Sequence, residues 1–286
     1  MASSWPTRRS PDGGRCHHHL WDPAHRKYPW MGDDLASIRR RFDAGDLKPL
    51  LDANGIDRTV VVQTVSSLEE TREFLEAAAE NEFIAGVVGW VDLTDRSVAK
   101  TLAGLRRSEG GSFLVGIRHQ VHDEPDPTWL LREDVQHGIA AVGEAGLAYD
   151  VLVRTRELPA ALKTVKRHPQ IRFVIDHAAK PRIAAGAWDS AWEEALAPLS
   201  ELPNVTCKVS GLFTEADWKS WKAEHVEPYV RRVIDWFGAD RCMFGSDWPV
   251  SLLAASYKQV VTTMRDLVAN DDQIMGGTAA KVYGLS

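Results

Sequence analysis

Two histidines spaced two residues apart, His17 and His19, lie in the run HHHLWDP that ends at Pro23. On an extended strand side chains alternate, so these two imidazoles face one way and that of His18 faces the other. Paired imidazoles on one face suit Zn²⁺ or a similar divalent ion. HxH alone is a weak signal, although three histidines joined directly to Leu20 and Trp21 are unlike an expression tag. The pair gains meaning from His177, which follows Phe173, Val174, Ile175 and Asp176, and from Asp247, which follows Met243, Phe244, Gly245 and Ser246. A single His or Asp at a strand end is most often structural. Four such groups brought together would be costly to bury unless a metal or a proton-transfer network compensated them.

Elements that bring them together can be read from apolar runs at 59–63, 84–90, 113–117, 149–153, 171–175, 205–209 and 242–244. Several are almost continuous Val, Ile and Leu, the pattern of parallel strands covered on both faces. Residues 17–21 supply the eighth strand. Helical patterns fall at 68–82, 130–143, 158–167, 189–199, 226–237 and 257–269. Ser66 or Ser67 caps the first of these, and Glu69 or Glu70 completes a capping box. Such alternation predicts an α/β fold of the (β/α)₈ TIM-barrel type, and no glycine fingerprint for phosphate follows any strand. The expected organisation is an irregular extension over 1–15 and one barrel domain over 16–286. In a barrel the carboxyl ends of the strands share one face. That face would hold Gln63, Trp90, Asp92, Arg118, His119, Arg154, Asp176, His177, Ser210, Ser246 and Asp247.

Composition narrows the function. The 286 residues carry 34 Lys and Arg against 40 Asp and Glu, a formal charge of -6. This balance argues against nucleic acid or an anionic membrane as partner. No apolar run approaches the roughly 20 residues of a membrane span. Three cysteines, Cys16, Cys207 and Cys242, cannot all pair within one chain, which points to a reducing, cytoplasmic setting. A small-molecule substrate is expected, and a homo-oligomer is left open.

The ordered motifs carry a resemblance. HHHLWDP from His17, GIRH from Gly116, DEPDP from Asp123, Asp176 and His177 with Lys180 and Pro181, KVSG from Lys208, FGSDWP from Phe244 and YGL from Tyr283 follow one another. In this the chain resembles the L-fuconolactonase/L-rhamnonolactonase branch of the amidohydrolase superfamily, from His17 to the C-terminus. The resemblance implies a (β/α)₈ barrel that hydrolyses lactones, with site residues at His17, His19, His177 and Asp247. One departure is Arg15, where such proteins usually carry an Asp two positions before the first histidine. No histidine ends the fifth run, and no lysine is available on the fourth for a bridging carbamate. One divalent ion, Zn²⁺ foremost, or metal-free catalysis fits better than two ions.

The expected chemistry has Asp247 deprotonating a water held against the lactone carbonyl and returning the proton to the ring oxygen. Without a metal, His177 with Arg118 or His119 would have to stabilise the oxyanion. Trp248, Trp90 and Trp30 are candidates for stacking on a sugar ring. Arg118, His119, Arg154, Lys180 and Lys208 could bond hydroxyls or clamp a carboxylate, or simply pair with nearby acids. A neutral sugar lactone is the preferred substrate. A carboxylated or sulfonated muconolactone, a metal-dependent decarboxylation on the same barrel, and a non-enzymatic sugar-acid binder are the alternatives.

Overall fold

The apolar runs pair in chain order, each strand hydrogen-bonded to the next, and β1 closes on β8. The strands are β1 Gly14–His18, β2 Arg58–Val62, β3 Ile84–Gly89, β4 Leu114–Gln120, β5 Ala148–Leu152, β6 Phe173–Ile175, β7 Val205–Val209 and β8 Cys242–Trp248. All eight pairings are parallel. The computed structural model describes residues 14–285. Most of the expected N-terminal extension, and the thiol of Cys16, lie outside what is described.

The helices are α1 Ala44–Ala53, α2 Leu68–Glu80, α3 Val98–Arg107, α4 Glu133–Glu144, α5 Leu158–Arg167, α6 Ser190–Ser200, α7 Leu212–Glu215, α8 Ala223–Phe237, α9 Tyr257–Leu267 and α10 Thr278–Tyr283. Ser67 caps α2 by accepting from the Glu70 amide at 3.2 Å. The expected box does not close, because the Glu70 carboxylate instead accepts from the amides of Thr64, at 2.8 Å, and Val65, at 3.2 Å. It anchors the turn after β2. Helices α1, α3, α7 and α10 escaped the sequence reading. Asp43 and Asp46 form a reciprocal cap at the start of α1.

The first strand also differs from expectation. It begins at Gly14 and ends at His18, rather than running over 17–21. Leu20 and Trp21 are apolar because they pack in the hydrophobic layer with Phe42, and a lone antiparallel bridge joins Trp21 to Phe42.

Inside the barrel, alternation along the strands builds layers. Val60, Val62, Val88, Ala148, Val174 and Met243 form an apolar floor closed by Ala279 and Tyr283 of α10. The next inward positions along β4, β5 and β7 are Arg118, Asp150 and Lys208, all buried. Gln120 and Leu152, two residues further on, line a pocket at the barrel mouth. A larger apolar layer, including Val61, Ile117, Tyr149, Phe173 and Phe244, lies between the strands and the helices.

Gly110 combines a left-handed backbone with close approach to a neighbouring chain segment. Gly110 has φ 67°, and a Cβ there would meet the Leu75 carbonyl oxygen at 2.1 Å, whereas Gly55, at φ 62°, has open space around it. Gly55→Ala should cost about 1 kcal/mol, the left-handed penalty alone. Gly110→Ala adds a backbone collision and should cost about 3 kcal/mol or more. Thermal unfolding of the two variants checks this, with the midpoint of Gly110→Ala expected to fall at least twice as far.

Candidate active site

Three of the four converging side chains leave their strands through a left-handed backbone. His17 has φ 71°, His177 φ 51° and Asp247 φ 54°. On β1 the register slips between Cys16 and His18 against β8, and between Arg15 and His18 against β2. His17 therefore forms a bulge, which re-aims a side chain at the rim of a sheet. Beyond β6 the left-handed conformation continues through Ala178, Ala179 and Lys180.

The result is a tight cluster at the barrel mouth. Nε2 of His17 and Nε2 of His19 lie 3.0 Å apart. Oδ1 of Asp247 is 3.3 Å from His19 Nε2, 3.4 Å from His17 Nε2 and 3.8 Å from His177 Nε2. The other ring nitrogens are anchored from behind. His19 Nδ1 donates to the Val62 carbonyl at 2.7 Å, which leaves its Nε2 as a bare lone pair. His177 Nδ1 lies 2.9 Å from Ser210 Oγ.

Burial holds all three imidazoles neutral at ordinary pH. It pushes His177 down to about 4, and lowers His17 and His19 as well. Burial acts to raise the Asp247 carboxyl, whereas the Coulombic pull of His177 and hydrogen bonds from His17 and His19, exerted when these rings carry a proton toward it, act more strongly and hold the group well below the usual carboxylate range. Three neutral nitrogen donors and one carboxylate therefore converge. With Zn–N and Zn–O bonds of about 2.0–2.2 Å, neighbouring ligand atoms of a tetrahedral site lie about 3.3 Å apart. The separations of Asp247 from His19 and His17, 3.3 and 3.4 Å, match that edge, and His17, His19 and Asp247 form a group able to hold a metal ion, with His177 slightly further out.

The pocket over this cluster, with a volume of about 120 Å³, is lined by His19, Trp30, Thr64, Arg118, Gln120, His122, Leu152, His177, Lys180, Asp247 and Val250. Of the expected substrate contacts, Trp30 and Arg118 are among these. The Trp30 indole N–H is buried and has no hydrogen-bond partner among the described residues. Arg118 donates from Nε and Nη2 to Gln63 and from Nη1 to Asp176. These four bonds use four of the five guanidinium N–H groups, leaving one for a ligand.

His119, Trp90 and Trp248 are not among the lining residues. His119 follows Arg118 on β4, so alternation sends it to the opposite face. There it stacks on Trp129 at 4.2 Å, accepts from Trp90 Nε1 at 3.0 Å and meets Glu124 at 2.8 Å. Trp248 follows Asp247 and is turned outward for the same reason, 1% exposed and edge-on to Phe42. It has no free face for a sugar. Lys208 is buried against Asp150 and Asp176, while Lys180 and Arg154 both pair with Glu215. Sequence reasoning missed Gln120, which the same alternation places beside Arg118. It also missed Thr64, in the turn after β2, His122, in the 3-10 turn after β4, and Glu215, at the end of α7.

A family model described as Amidohydrolase matches residues 15–285. The chain belongs to this family. This amidohydrolase is 42% identical over 269 residues to the L-fucono-1,5-lactonase of Burkholderia ambifaria, covering 94% of this chain and 91% of the relative. It is 38% identical to the protein of the same name from Burkholderia multivorans, over 94% of this chain and 95% of that one. A crystal structure of an amidohydrolase from Burkholderia multivorans with bound Zn is similar at a TM-score of 0.90 and 36% identity, covering 96% of this chain and 99% of that chain.

His18, turned away from the pocket, offers a clean test of the burial argument. Its Nδ1 meets Thr59 Oγ1 at 2.8 Å, its Nε2 has no hydrogen-bond partner among the described residues, and burial lowers it from 6.5 to about 3. Above pH 6.5 it is neutral whether the chain is folded or unfolded. Between 6.5 and about 3 only the unfolded chain takes up the proton, so stability falls as pH falls. From pH 8 to pH 5 this group should remove about 2 kcal/mol. In metal-free protein, urea unfolding of His18→Leu should lose that much less over the interval than the parent.

Proposed function

We propose that this amidohydrolase opens a neutral sugar lactone, of the L-fucono- or L-rhamnono-lactone type, to its aldonic acid, with Asp247 carrying the proton. The observation that supports this most is the placement of an anionic Asp247 within 3.8 Å of three neutral imidazoles at the floor of a pocket. The similarity to two lactonases along most of the chain supports the same reaction class.

His17, His19, His177 and Asp247 would hold a divalent ion, Zn²⁺ being the best match to nitrogen and carboxylate donors, which when bound polarises the carbonyl and acidifies water. The remaining work belongs to the chain. Oδ1 of Asp247 faces the imidazoles, and its second oxygen takes a proton from the attacking water. The water oxygen bonds to the lactone carbonyl carbon. As the tetrahedral centre collapses, the bond to the ring oxygen breaks and Asp247 returns the proton to that oxygen. The free N–H of Arg118 and the indole N–H of Trp30 orient the substrate's oxygens, and Leu152 and Val250 supply apolar walls.

Charge pairing favours a neutral substrate over a carboxylated one. Lys180 is held by Glu215 at 2.6 Å and Arg118 by Asp176 at 2.8 Å, so the positive charges that would attract an anionic substituent are already neutralised. We also assign the protein to the cytoplasm. Cys207 and Cys242 are buried and free, which suits a reducing compartment. Among the described residues no helix is long and apolar enough to cross a membrane.

A pH-indicator assay across a lactone panel tests the proposal. Neutral six-carbon aldonolactones should be opened at least about 10²-fold more efficiently than an anionic muconolactone, with no CO₂ released. Faster turnover of the anionic lactone, or release of CO₂, would contradict it. Asp247→Asn should lower kcat by about 10²–10⁴-fold, the usual contribution of general acid–base catalysis.

A further inference from the structure

Beneath the imidazoles lies a charged cluster that the proton transfer does not use. Lys208, Asp150 and Asp176 are fully buried and Arg118 nearly so. Lys208 Nζ is 2.5 Å from Asp150 Oδ2 and 2.7 Å from Asp176 Oδ1. Arg118 Nη1 is 2.8 Å from the other oxygen of Asp176. Tyr283 of α10 donates its hydroxyl to Asp150, at 2.7 and 2.9 Å from the two oxygens. These groups come from β4, β5, β7, α10 and the residue after β6.

Burying four charges is expensive, and apolar side chains of similar volume are often at least as stable. The layer below is already apolar, so nothing in the packing of the barrel requires ions here. Their position explains them better. His17, Asp176 and His177 form a second convergent group able to hold a metal ion, so that Asp176 is the donor it adds to the four residues assigned above to the outer ion. The inner group, however, already contains a cation, because the Lys208 ammonium sits on Asp176 Oδ1. His17 Nδ1 is buried without a hydrogen-bond partner among the described residues, and the carboxylate facing it is Asp176, at 3.8 Å.

We infer that Lys208 is a built-in cation that fills the inner donor group, so that only the outer group takes a metal ion. Asp176, held by Lys208 and Arg118, is then a positioning residue. Its negative charge opposite Nδ1 favours the proton on that nitrogen and leaves Nε2 of His17 bare toward His19 and Asp247. Carboxylates placed behind a ligating imidazole act in this way at metal sites generally, and their loss typically weakens metal affinity about 10–100-fold. The inference rests on the outer group holding a divalent ion, and is independent of which lactone is opened.

Equilibrium dialysis against Zn²⁺, read by elemental analysis, tests it on the full chain. The parent protein should saturate at one ion per chain. Two ions would overturn the role of Lys208, and none would overturn the reading of the outer group itself. Asp176→Asn keeps the volume and removes the charge, and should bind Zn²⁺ about 10–100-fold more weakly while its circular dichroism stays that of the parent. Unchanged affinity would overturn the positioning role. Lys208→Met should admit a second ion, and a folded Lys208→Met protein that still stops at one ion would count against the assignment. If that variant does not fold, the stoichiometry of the parent and the affinity of Asp176→Asn decide.

Discussion

The site depends on a backbone constraint. A strand that ran on regularly past its last pairing would carry its next side chains alternately in and out. At three points the chain instead turns through a left-handed residue that is not glycine, at His17, His177 and Asp247. Each such residue costs about 1–2 kcal/mol, and after β6 the conformation persists over four successive residues. Strain of this kind survives only where the surroundings over-determine it. Here they do so through Ser246 Oγ, which donates to the His17 carbonyl at 3.3 Å, and through the His19 amide, which donates to the Trp248 carbonyl at 2.7 Å. The Trp192 indole donates to the Ala178 carbonyl at 2.6 Å and pins the turn after β6.

From that constraint the interior follows as a gradient along the barrel axis. An apolar floor excludes water from below, the paired charges stand on it, and the imidazoles and Asp247 form the surface that meets a ligand. Burial does two things at once in this arrangement. It keeps the imidazoles uncharged, so their lone pairs are available at neutral pH, and it works against the charge of Asp247, which is held ionised by the rings that face it. Arg118 links the layers, with one edge on Asp176, another on Gln63 and one N–H left for the pocket.

Much of this was legible in the sequence, and the limits have physical causes. The near-continuous Val and Ile runs identified the barrel, and the strand-end positions of His177 and Asp247 identified two members of the cluster. His17 and His19 do converge, as simple alternation suggests, but they do so through a bulge and a left-handed residue that spacing alone cannot reveal. Alternation applied more strictly would have removed His119 and Trp248 from the pocket, because each is the immediate neighbour of an inward residue. It would also have added Gln120. Asp150 and Lys208 were visible as lone charges inside apolar strands, yet their pairing depends on the barrel's closure. Strands β5 and β7 flank β6, and only the curvature of the barrel turns their inward side chains toward one another, which no local pattern encodes. Helix α1, short and partly polar, went unread because its stability comes from capping and from Leu47 and Leu51 packing on the barrel.

The claim at the centre of this account is that side chains from β1, β6 and β8 meet around one point. Crystals soaked in Zn²⁺ and measured at the zinc absorption edge test it directly. The account predicts one anomalous peak, about 2.0–2.2 Å from Nε2 of His17, His19 and His177 and from Oδ1 of Asp247. A strong peak elsewhere in the barrel, or Asp247 turned away from the ion, would contradict it.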